Sequence, residues 1–395
     1  MQGIELFEKS LLSKSTVPYT LPRFTASGDA VFSITNENIG LGQIIRLISG
    51  IAHFVHGNHE NKKVLIQIEK ANFDEKLLYI LLECYLEHLI SEHDIPVRIE
   101  YNEKTSIITK GLLSMPMQLL KDGTYEHRKK FLAKFQNEIY KGHYRKVYEP
   151  PYDGNLEYLS QAMTDICIFL VNKGVDDGIA TEIAEVVVEL VGNANEHTNE
   201  KCLVDIDVAD KYLKKHGDPT QEYYGVNICV LNFSHILLGT QIQNKMCFNP
   251  ILKIDPEKAP RYEQLKKAYL NHKKFFSEDY TEDDFFMLSA FQNKISGRVN
   301  DTLNGGTGLP QVIKSLESKS DNHACYVISG KRMMALRRDL LQYNDEMWLG
   351  MNKENDFIGH RPEAGVFGES QIFFPGTAFN LNFILFGRKH DGTSY

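Results

Sequence analysis

Residues 186–199, VVVELVGNANEHTN, combine a helical pattern with side chains that can do chemistry. Apolar and polar positions each recur at intervals of three and four, as on two faces of one amphipathic helix: Ile183, Val187, Leu190 and Ala194 on the first, and Glu182, Glu185, Glu189, Asn193 and Glu196 on the second. A carboxylate fixed on such a helix can accept a proton from water, and an amide oxygen can bind a divalent cation. A helix end or a solvated surface face is the alternative interpretation, because asparagine is a common capping residue.

A second stretch with chemical potential is NGGTGLP at residues 304–310, which precedes the apolar periodic run of Val312, Ile313 and Leu316. Glycines directly before a helix allow backbone N–H groups to approach an anion closely. The amino terminus of the helix adds roughly half a positive charge. This stretch is typical of a phosphate-binding loop.

Together, the two stretches resemble the motifs of the GHKL ATPases, the superfamily of DNA gyrase, heat-shock chaperones, histidine kinases and anti-sigma-factor serine kinases. Residues 189–198, ELVGNANEHT, resemble its asparagine box, in which Glu and Asn four residues apart face the nucleotide. Residues 305–312, GGTGLPQV, resemble its second glycine box, and Thr377 follows a glycine before an alternating strand, as at the end of the family's domain. The resemblance covers roughly residues 155–390.

The resemblance implies roles for individual residues toward ATP and Mg²⁺. Glu189 would act as the general base that orients a water toward the γ-phosphate, and Asn193 would bind Mg²⁺ through its amide oxygen. The other nucleotide-binding positions would be Glu196, His197, Asn232, Ser296, Arg298, Gly305, Gly306, Thr307, Gly308, Leu309 and Thr377. For Glu196 and His197 a second interpretation stays open, since either residue can simply end the helix.

The first glycine box is where the sequence departs from the family. The family has an Asp that accepts a hydrogen bond from the adenine amino group, followed by alternate glycines, whereas this chain has Asn232, Ser234 and Ile236. Asn232 can accept through its carbonyl oxygen, but its amide nitrogen can donate instead. Ile236 does not readily adopt the positive φ that glycine allows. A preference for adenine therefore does not follow from the sequence.

We expect an ATP-binding module whose Mg²⁺-dependent reaction is either hydrolysis or phosphotransfer to a protein. A protein partner would contact either the N-terminal domain or the long nucleotide lid, which we place at residues 235–304. Dimerisation through lid exchange is a further expectation from the superfamily. None of the 14 histidines lies in the phosphoacceptor context of a classical sensor kinase. The alternative is a degenerate GHKL scaffold that no longer binds nucleotide and acts as a protein-interaction module.

The pattern of elements predicts an α/β protein, in the sense of an α+β sandwich, with two domains. Strands and helices alternate in residues 1–150, which predicts a smaller α/β domain with a partly parallel sheet, loosely similar to STAS-type domains and followed by a helical linker over 125–140. The prolines of EPPYDG at 149–154 predict the boundary. Residues 154–395 would form a GHKL-type Bergerat fold, a mixed sheet covered by helices, with a lid insertion at 235–304.

Composition narrows the classes of partner and compartment. The formal net charge of −8 argues against general nucleic-acid binding, which depends on clustered lysines and arginines. Six scattered cysteines without a CxxC pair indicate a reducing cytoplasm. Apolar runs are shorter than the roughly 18 residues of a membrane span, so we expect no membrane attachment.

Three histidines at spacings of three, His53, His56 and His59, could in principle bind zinc. However, Gly57 and Asn58 are expected to end the helix at this point, and the sequence shows no carboxylate partner nearby. We therefore do not predict a metal site from this pattern.

Overall fold

A computed structural model describes residues 3–13, 19–35, 38–57, 62–68, 72–73, 75–101, 108–109, 116–151, 157–209, 223–248, 257–297, 308–319 and 325–386. Structural statements below concern these residues. Among the helices that they form, none is long and apolar enough to cross a membrane.

The N-terminal region is an α/β unit, as predicted. Its elements are α1 Ile4–Ser13, β1 Arg23–Phe24, β2 Ala30–Ile34, β3 Asn38–Ile39, α2 Leu41–His56, β4 Val64–Ile68, β5 Asn72–Phe73, α3 Lys76–Ser91, β6 Val97–Tyr101 and β7 Ile108–Thr109. One sheet has the order β1-β2-β4-β6, in which β2, β4 and β6 run parallel and β1 runs antiparallel to β2. The short strands β3, β5 and β7 form a small parallel sheet.

The connecting region differs from the helix predicted for 125–140. A 3₁₀ turn at Pro116–Asp122 is followed by α4 Tyr125–Gln136, which ends four residues before the end of the predicted helix. The strands β8 Asn137–Tyr140 and β9 His143–Tyr148 then form a hairpin. Lys141 occupies its turn with a φ of 49°. Because β9 pairs with the first strand of the C-terminal region, the hairpin extends that region's sheet. The C-terminal sheet thus begins before the predicted boundary at 149–154.

The C-terminal region contains α5 Glu157–Asn172, α6 Asp177–Thr198, β10 Cys202–Ala209, β11 Tyr223–Asn232, α7 Thr240–Gln243, α8 Ala259–His272, α9 Glu282–Ser289, α10 Gly308–Lys319, β12 Tyr326–Ala335 and β13 Phe367–Phe386. Its sheet has the order β12-β13-β11-β10-β9-β8. Every pairing that the described residues make within this sheet is antiparallel, so the mixed sheet that we predicted for this region was wrong. The two strands predicted around residues 323–337 are the single strand β12, with an irregularity at Gly330.

Both faces of this sheet are buried, because alternate residues of its strands point in opposite directions. On β10, Val204 and Ile206 belong to the core beneath α5, α6 and α10, whereas Leu203 belongs to the core shared with the N-terminal helices. The helix α3 contacts both β6 and β11 and is buried along its length from Lys76 to Ile90. The two regions therefore share one core.

A buried ionic network connects α3 to the sheet. The Lys76 ammonium nitrogen lies 2.5 Å from Asp205 Oδ1 and 2.6 Å from Asp207 Oδ2, with all three side chains buried. His143 Nε2 lies 2.9 Å from Asp205 Oδ2. Burial acts to lower the pKa of His143, but Asp205 and a hydrogen bond with Glu138 outweigh it and raise that pKa to about 9. The two carboxylates are thus neutralised by protein cations rather than positioned for a metal.

The segment predicted as a nucleotide lid, residues 235–304, is in its described part a packed helical layer. Phe285 on α9 and His272 on α8 have no exposed surface. His272 lies 2.7 Å from the carbonyl oxygen of Phe357 through Nε2 and 2.7 Å from the Tyr280 hydroxyl through Nδ1. On α8, the Arg261 guanidinium lies 3.5 Å from the Trp348 ring centroid. These contacts fix α8 and α9 to the polypeptide between β12 and β13.

Candidate functional site

A cavity of about 300 Å³ lies on the helical face of the C-terminal sheet. Helix α6, the end of β11, the middle of β13, α7, residues before 298 and the first residues of α10 surround it. Eight predicted site residues line it: Glu189, Asn193, His197, Asn232, Ser296, Gly308, Leu309 and Thr377. The chain thus brings together positions that are nearly 190 residues apart in the sequence.

Helix α6 positions the polar row of the cavity. Its amino end is capped by Asp176, whose side chain accepts from the N–H groups of Gly178 and Ile179. Its carboxyl end is reached at Asn199, which has a φ of 55°. Since side chains four residues apart lie above one another on a helix, Glu189, Asn193 and His197 form one row along the cavity.

The two asparagines of the motif have different environments. Asn195 is buried, donates to the carbonyl oxygen of Glu200 over 2.8 Å and accepts from the Tyr158 hydroxyl over 3.0 Å. It therefore serves the helix end, as the capping interpretation proposed. Asn193 instead lines the cavity, where its amide nitrogen donates to Glu189 Oε1 over 2.9 Å. Because the nitrogen makes this bond, the amide oxygen is the end that can bind a cation.

Gly308 is packed directly against the Glu189 side chain. A Cβ atom at residue 308 would lie 1.5 Å from Glu189 Oε1, a separation that no side chain can adopt. Helix α10 begins at Gly308, so the carboxylate lies beside a helix amino terminus and its partial positive charge. This end of the cavity therefore combines an acidic side chain with backbone donors that favour anions.

The opposite end of the cavity is formed by Asn232 and Thr377, which are direct partners in the ladder between β11 and β13. The Asn232 amide nitrogen donates to Thr198 Oγ1 over 3.2 Å, while the Thr198 hydroxyl donates to the carbonyl oxygen of Ala194 over 2.6 Å. Since that hydroxyl has one proton, it can only accept from Asn232. The Asn232 carbonyl oxygen is thereby oriented as the acceptor end of the side chain.

The loop after β11 holds its shape without the glycines of the family motif. The Ser234 hydroxyl donates to the carbonyl oxygen of Ile236 over 2.9 Å and accepts from its N–H over 3.1 Å. The positive φ that the turn needs is provided later, by Gly239 at 91°. Beneath the loop, a Cβ at Gly376 would lie 2.2 Å from the backbone carbonyl oxygen of Asn232, so this position requires glycine.

His197 and Ser296 are held by the protein at the cavity rim. His197 Nδ1 lies 2.6 Å from Gln241 Oε1, and Gln241 Nε2 donates to the backbone oxygen of His197 over 3.1 Å. The Ser296 carbonyl oxygen accepts from the Tyr262 hydroxyl over 2.6 Å and from Lys245 Nζ over 3.3 Å. These bonds position α7 and the segment before residue 298 around the cavity.

The remaining predicted residues are not brought to the cavity by the described structure. Glu196 is exposed and does not line it, although its spacing of seven residues from Glu189 places it on the same face of α6. Lys294, two residues before Ser296, is also exposed. Four predicted residues lie outside the described ones: Arg298, Gly305, Gly306 and Thr307.

Sequence reasoning did not assign roles to several residues of the site. The apolar part of the wall includes Leu190, Cys202, Val230, Ile236, Ile242 and Phe379. Burial raises the pKa of the Cys202 thiol, so this cysteine is a neutral part of the wall and not a nucleophile. The alternation along β10 and β11 indicated inward residues, but not which helix would cover them. Thr198 was within the motif, yet its effect on Asn232 depends on a contact across 34 residues.

Comparison of the chain with protein-family models, curated proteins and solved structures finds no match. The resemblances to GHKL ATPases and to STAS-type domains therefore stay predictions from the sequence.

Proposed function

We propose that this chain is a GHKL-type ATP-binding protein that acts with Mg²⁺, hydrolysing ATP or transferring its γ-phosphoryl group to a protein. The observation that carries the proposal is the composition of the cavity at α6. It has the oriented acceptor Asn232, with Thr377 beside it, at one end and an acidic residue, Glu189, beside a helix amino terminus at the other.

The Asn232 end has the chemistry to bind an adenine base. Its carbonyl oxygen would accept from the exocyclic amino group, and the hydrogen bond from the amide nitrogen to Thr198 holds the oxygen toward the ligand. Apolar residues such as Val230 and Phe379 would cover the faces of a planar ring. This arrangement supports adenine in spite of the altered first glycine box.

The Glu189 end has the chemistry to bind phosphates and a hard cation. Backbone N–H groups at the start of α10 would bind phosphate oxygens, because Gly308 has no side chain to cover them and a helix amino terminus favours anions. Asn193 would bind Mg²⁺ through its amide oxygen. Mg²⁺, when bound, supplies charge neutralisation for the phosphates.

Glu189 is the residue suited to activate the nucleophile. Its carboxylate is held by the Asn193 amide over 2.9 Å and lies beside the α10 terminus, where a γ-phosphate would be bound. From this position it would accept the proton of an attacking water or of a partner's hydroxyl group. The residue serves both hydrolysis and phosphotransfer, so the reaction type depends on which nucleophile reaches it.

A protein partner would contact the chain through the helical layer at 257–297 or through the N-terminal unit. Both are packed on the same sheet that forms the cavity floor. Nucleotide binding could therefore change the stability of either surface without moving a separate lid. Homodimerisation is a further arrangement compatible with the superfamily, and the cytoplasm is the compartment that the free cysteines favour.

Equilibrium binding of labelled ATP tests the proposal. Asn193→Ala should abolish the Mg²⁺-dependent part of the binding, whereas the matched control Glu196→Gln, on the same helix but outside the cavity, should bind as the unchanged chain does. Incubation with γ-labelled ATP and a co-encoded protein then separates the reactions, since transfer labels a protein and hydrolysis releases phosphate.

The alternative function is a scaffold that has lost its nucleotide. The observation in its favour is the presence of Ser234 and Ile236, which close the loop where the family has flexible glycines. A scaffold would show no affinity for ATP in the same binding experiment and would retain its protein partner.

A further inference from the structure

A cluster of one glutamate and three histidines lies where the N-terminal helices meet. Glu8 comes from α1, His56 is the last residue of α2, His88 lies on α3 and His93 follows α3. Glu8 and His88 are buried, and the side chains of His93 and His56 are 31% and 44% exposed. None of the four lines the nucleotide cavity.

The polar atoms of the cluster converge at distances that suit a metal ion. Glu8 Oε2 lies 3.0 Å from His56 Nε2, 3.7 Å from His88 Nε2 and 3.9 Å from His93 Nε2. His88 Nε2 and His93 Nε2 are 3.2 Å apart. In a tetrahedral zinc site with bonds of about 2.0–2.1 Å, neighbouring ligand atoms are separated by roughly 3.3 Å. The observed distances bracket that value.

The surroundings orient these groups toward a common point. The Tyr85 hydroxyl donates to Glu8 Oε1 over 2.7 Å, which leaves Oε2 as the oxygen facing the histidines. The rings of His88 and His93 are perpendicular, with centroids 4.8 Å apart, and their Nε2 atoms lie 3.2 Å from each other. A second shell that holds the carboxylate in this way is typical of built metal sites.

Two imidazole nitrogens and a carboxylate oxygen form a donor set for a divalent transition metal. Mg²⁺ and Ca²⁺ prefer sites built from oxygen ligands, whereas imidazole favours zinc and its neighbours in the first transition row. The site therefore differs in chemistry from the Mg²⁺ position proposed at Asn193.

We propose that Glu8, His88 and His93 bind one divalent transition metal ion, with zinc the best match, and that His56 turns to provide the fourth ligand. The sequence pattern of His53, His56 and His59, from which we predicted no metal site, shares only His56 with this cluster. His53 stacks on Tyr19 at a centroid distance of 4.3 Å and lies 2.8 Å from the Ser49 carbonyl oxygen, away from the cluster. His59 lies outside the described residues.

Metal binding at this position would attach α1 to the N-terminal unit. Beside Glu8, the Phe7 ring lies 6.0 Å from Phe233 and 6.4 Å from Phe374 by their centroids. Phe233 directly follows Asn232, and Phe374 precedes Thr377 by three residues. The ion would thus hold the helix that packs behind the cavity floor, and its binding to the folded state alone would raise the thermal midpoint.

Titration of the chelator-treated full chain with Zn²⁺, and with Co²⁺ as a visible-absorption probe, tests the site. We expect one equivalent of either ion, the intense absorption of a tetrahedral Co²⁺ centre and an increase in the thermal midpoint. His93→Asn should weaken Zn²⁺ binding at least about 100-fold, and His56→Asn about tenfold, since loss even of an outer-shell partner typically costs 10–100-fold. His53→Asn, on the same helix as His56, is the matched control and should bind as before.

Because His88 is buried, His88→Asn is informative only together with a circular dichroism spectrum that shows a folded chain. His93→Asn, which is partly exposed, gives the decisive comparison if His88→Asn does not fold. The absence of stoichiometric binding in folded protein, or binding that His93→Asn leaves unchanged, would overturn the proposal and identify a metal-free hydrogen-bonded cluster. Either result is independent of nucleotide binding, since the titration contains none.

Discussion

The Thr198 hydroxyl fixes the orientation of the Asn232 side chain. It donates its only proton to the Ala194 carbonyl oxygen over 2.6 Å and can therefore only accept from the Asn232 amide nitrogen, 3.2 Å away. An asparagine, which can donate or accept, is converted by one neighbour into a defined acceptor. The sequence alone left this choice open.

Replacing that neighbour by Thr198→Val should weaken ATP binding about fivefold and reduce the preference for ATP over GTP, because one hydrogen bond contributes about 1 kcal/mol. Titrations of the unchanged chain and of Thr198→Val with ATP and with GTP measure the effect. Thr164→Val is the matched control, since Thr164 is an exposed helical threonine that donates to the backbone in the same way. In an Asn232→Asp background, whose carboxylate needs no orientation, Thr198→Val should have much less effect; an equal loss there would contradict the role of Thr198.

Gly308→Ala should reduce ATP affinity at least about tenfold. The added Cβ would lie 1.5 Å from Glu189 Oε1, so the carboxylate or the start of α10 must move. Gly368→Ala, where an added Cβ meets nothing within 4 Å, is the control and should bind normally. Adding Glu189→Ala to Gly308→Ala removes the overlap and should restore binding without turnover. A Gly308→Ala variant with unchanged affinity would place the phosphates elsewhere.

Glu189→Gln should retain ATP binding and lose turnover by about 10²–10⁴-fold, the usual contribution of a general base. The amide keeps an oxygen that can accept from Asn193 but cannot take a proton from the nucleophile. Steady-state release of phosphate and a parallel binding titration separate the two quantities. Unchanged turnover would assign the base to another residue.

Lys76→Met should lower the free energy of unfolding by about 3–5 kcal/mol, because it leaves Asp205 and Asp207 buried without their shared cation. Urea denaturation measures the change. The control Lys331→Met removes an exposed lysine whose ion pair with Glu369 is solvated, and it should change stability by less than about 0.5 kcal/mol. Equal effects in the two variants would contradict a role for burial.

His272 should make the chain less stable as the pH falls from about 6.5 toward 4. Burial lowers its pKa to about 4, against an opposing hydrogen bond with Phe357. In this window the unfolded chain binds a proton that the folded chain does not, so stability decreases by about 1.4 kcal/mol per pH unit. Between pH 7 and 5 this residue should account for about 2 kcal/mol, which His272→Phe should remove from the slope. An unchanged slope would show that His272 is protonated in the folded chain.

The sequence predicted the residues of the cavity better than it predicted their surroundings. Glu189 and Asn193 followed from helical spacing, which is a local property, whereas His197 came from the family resemblance. The pairing of Asn232 with Thr377 required the ladder between β11 and β13, whose partners are far apart in the chain. Only the resemblance to a family brought them together.

Other features depend on tertiary contacts that no local pattern records. Glu8 meets His88 across 80 residues of sequence, so the histidine spacing around His56 did not indicate this cluster. Lys76 begins α3 as an ordinary polar residue would, yet it is buried against Asp207. Residues 137–140 were assigned to a helix because the strands of this hairpin are short and polar and the pairing of β9 with β10 is not visible locally.

Isothermal titration calorimetry with ATP in the presence and absence of Mg²⁺ tests the central claim most directly. The account predicts one ATP, or one non-hydrolysable analogue, bound per folded chain, with binding weakened when Mg²⁺ is removed or Asn193 is replaced by Ala and unchanged in Glu196→Gln. The absence of heat for ATP and for the analogue, in protein whose thermal unfolding shows it to be folded, would contradict the assignment of the cavity to a nucleotide.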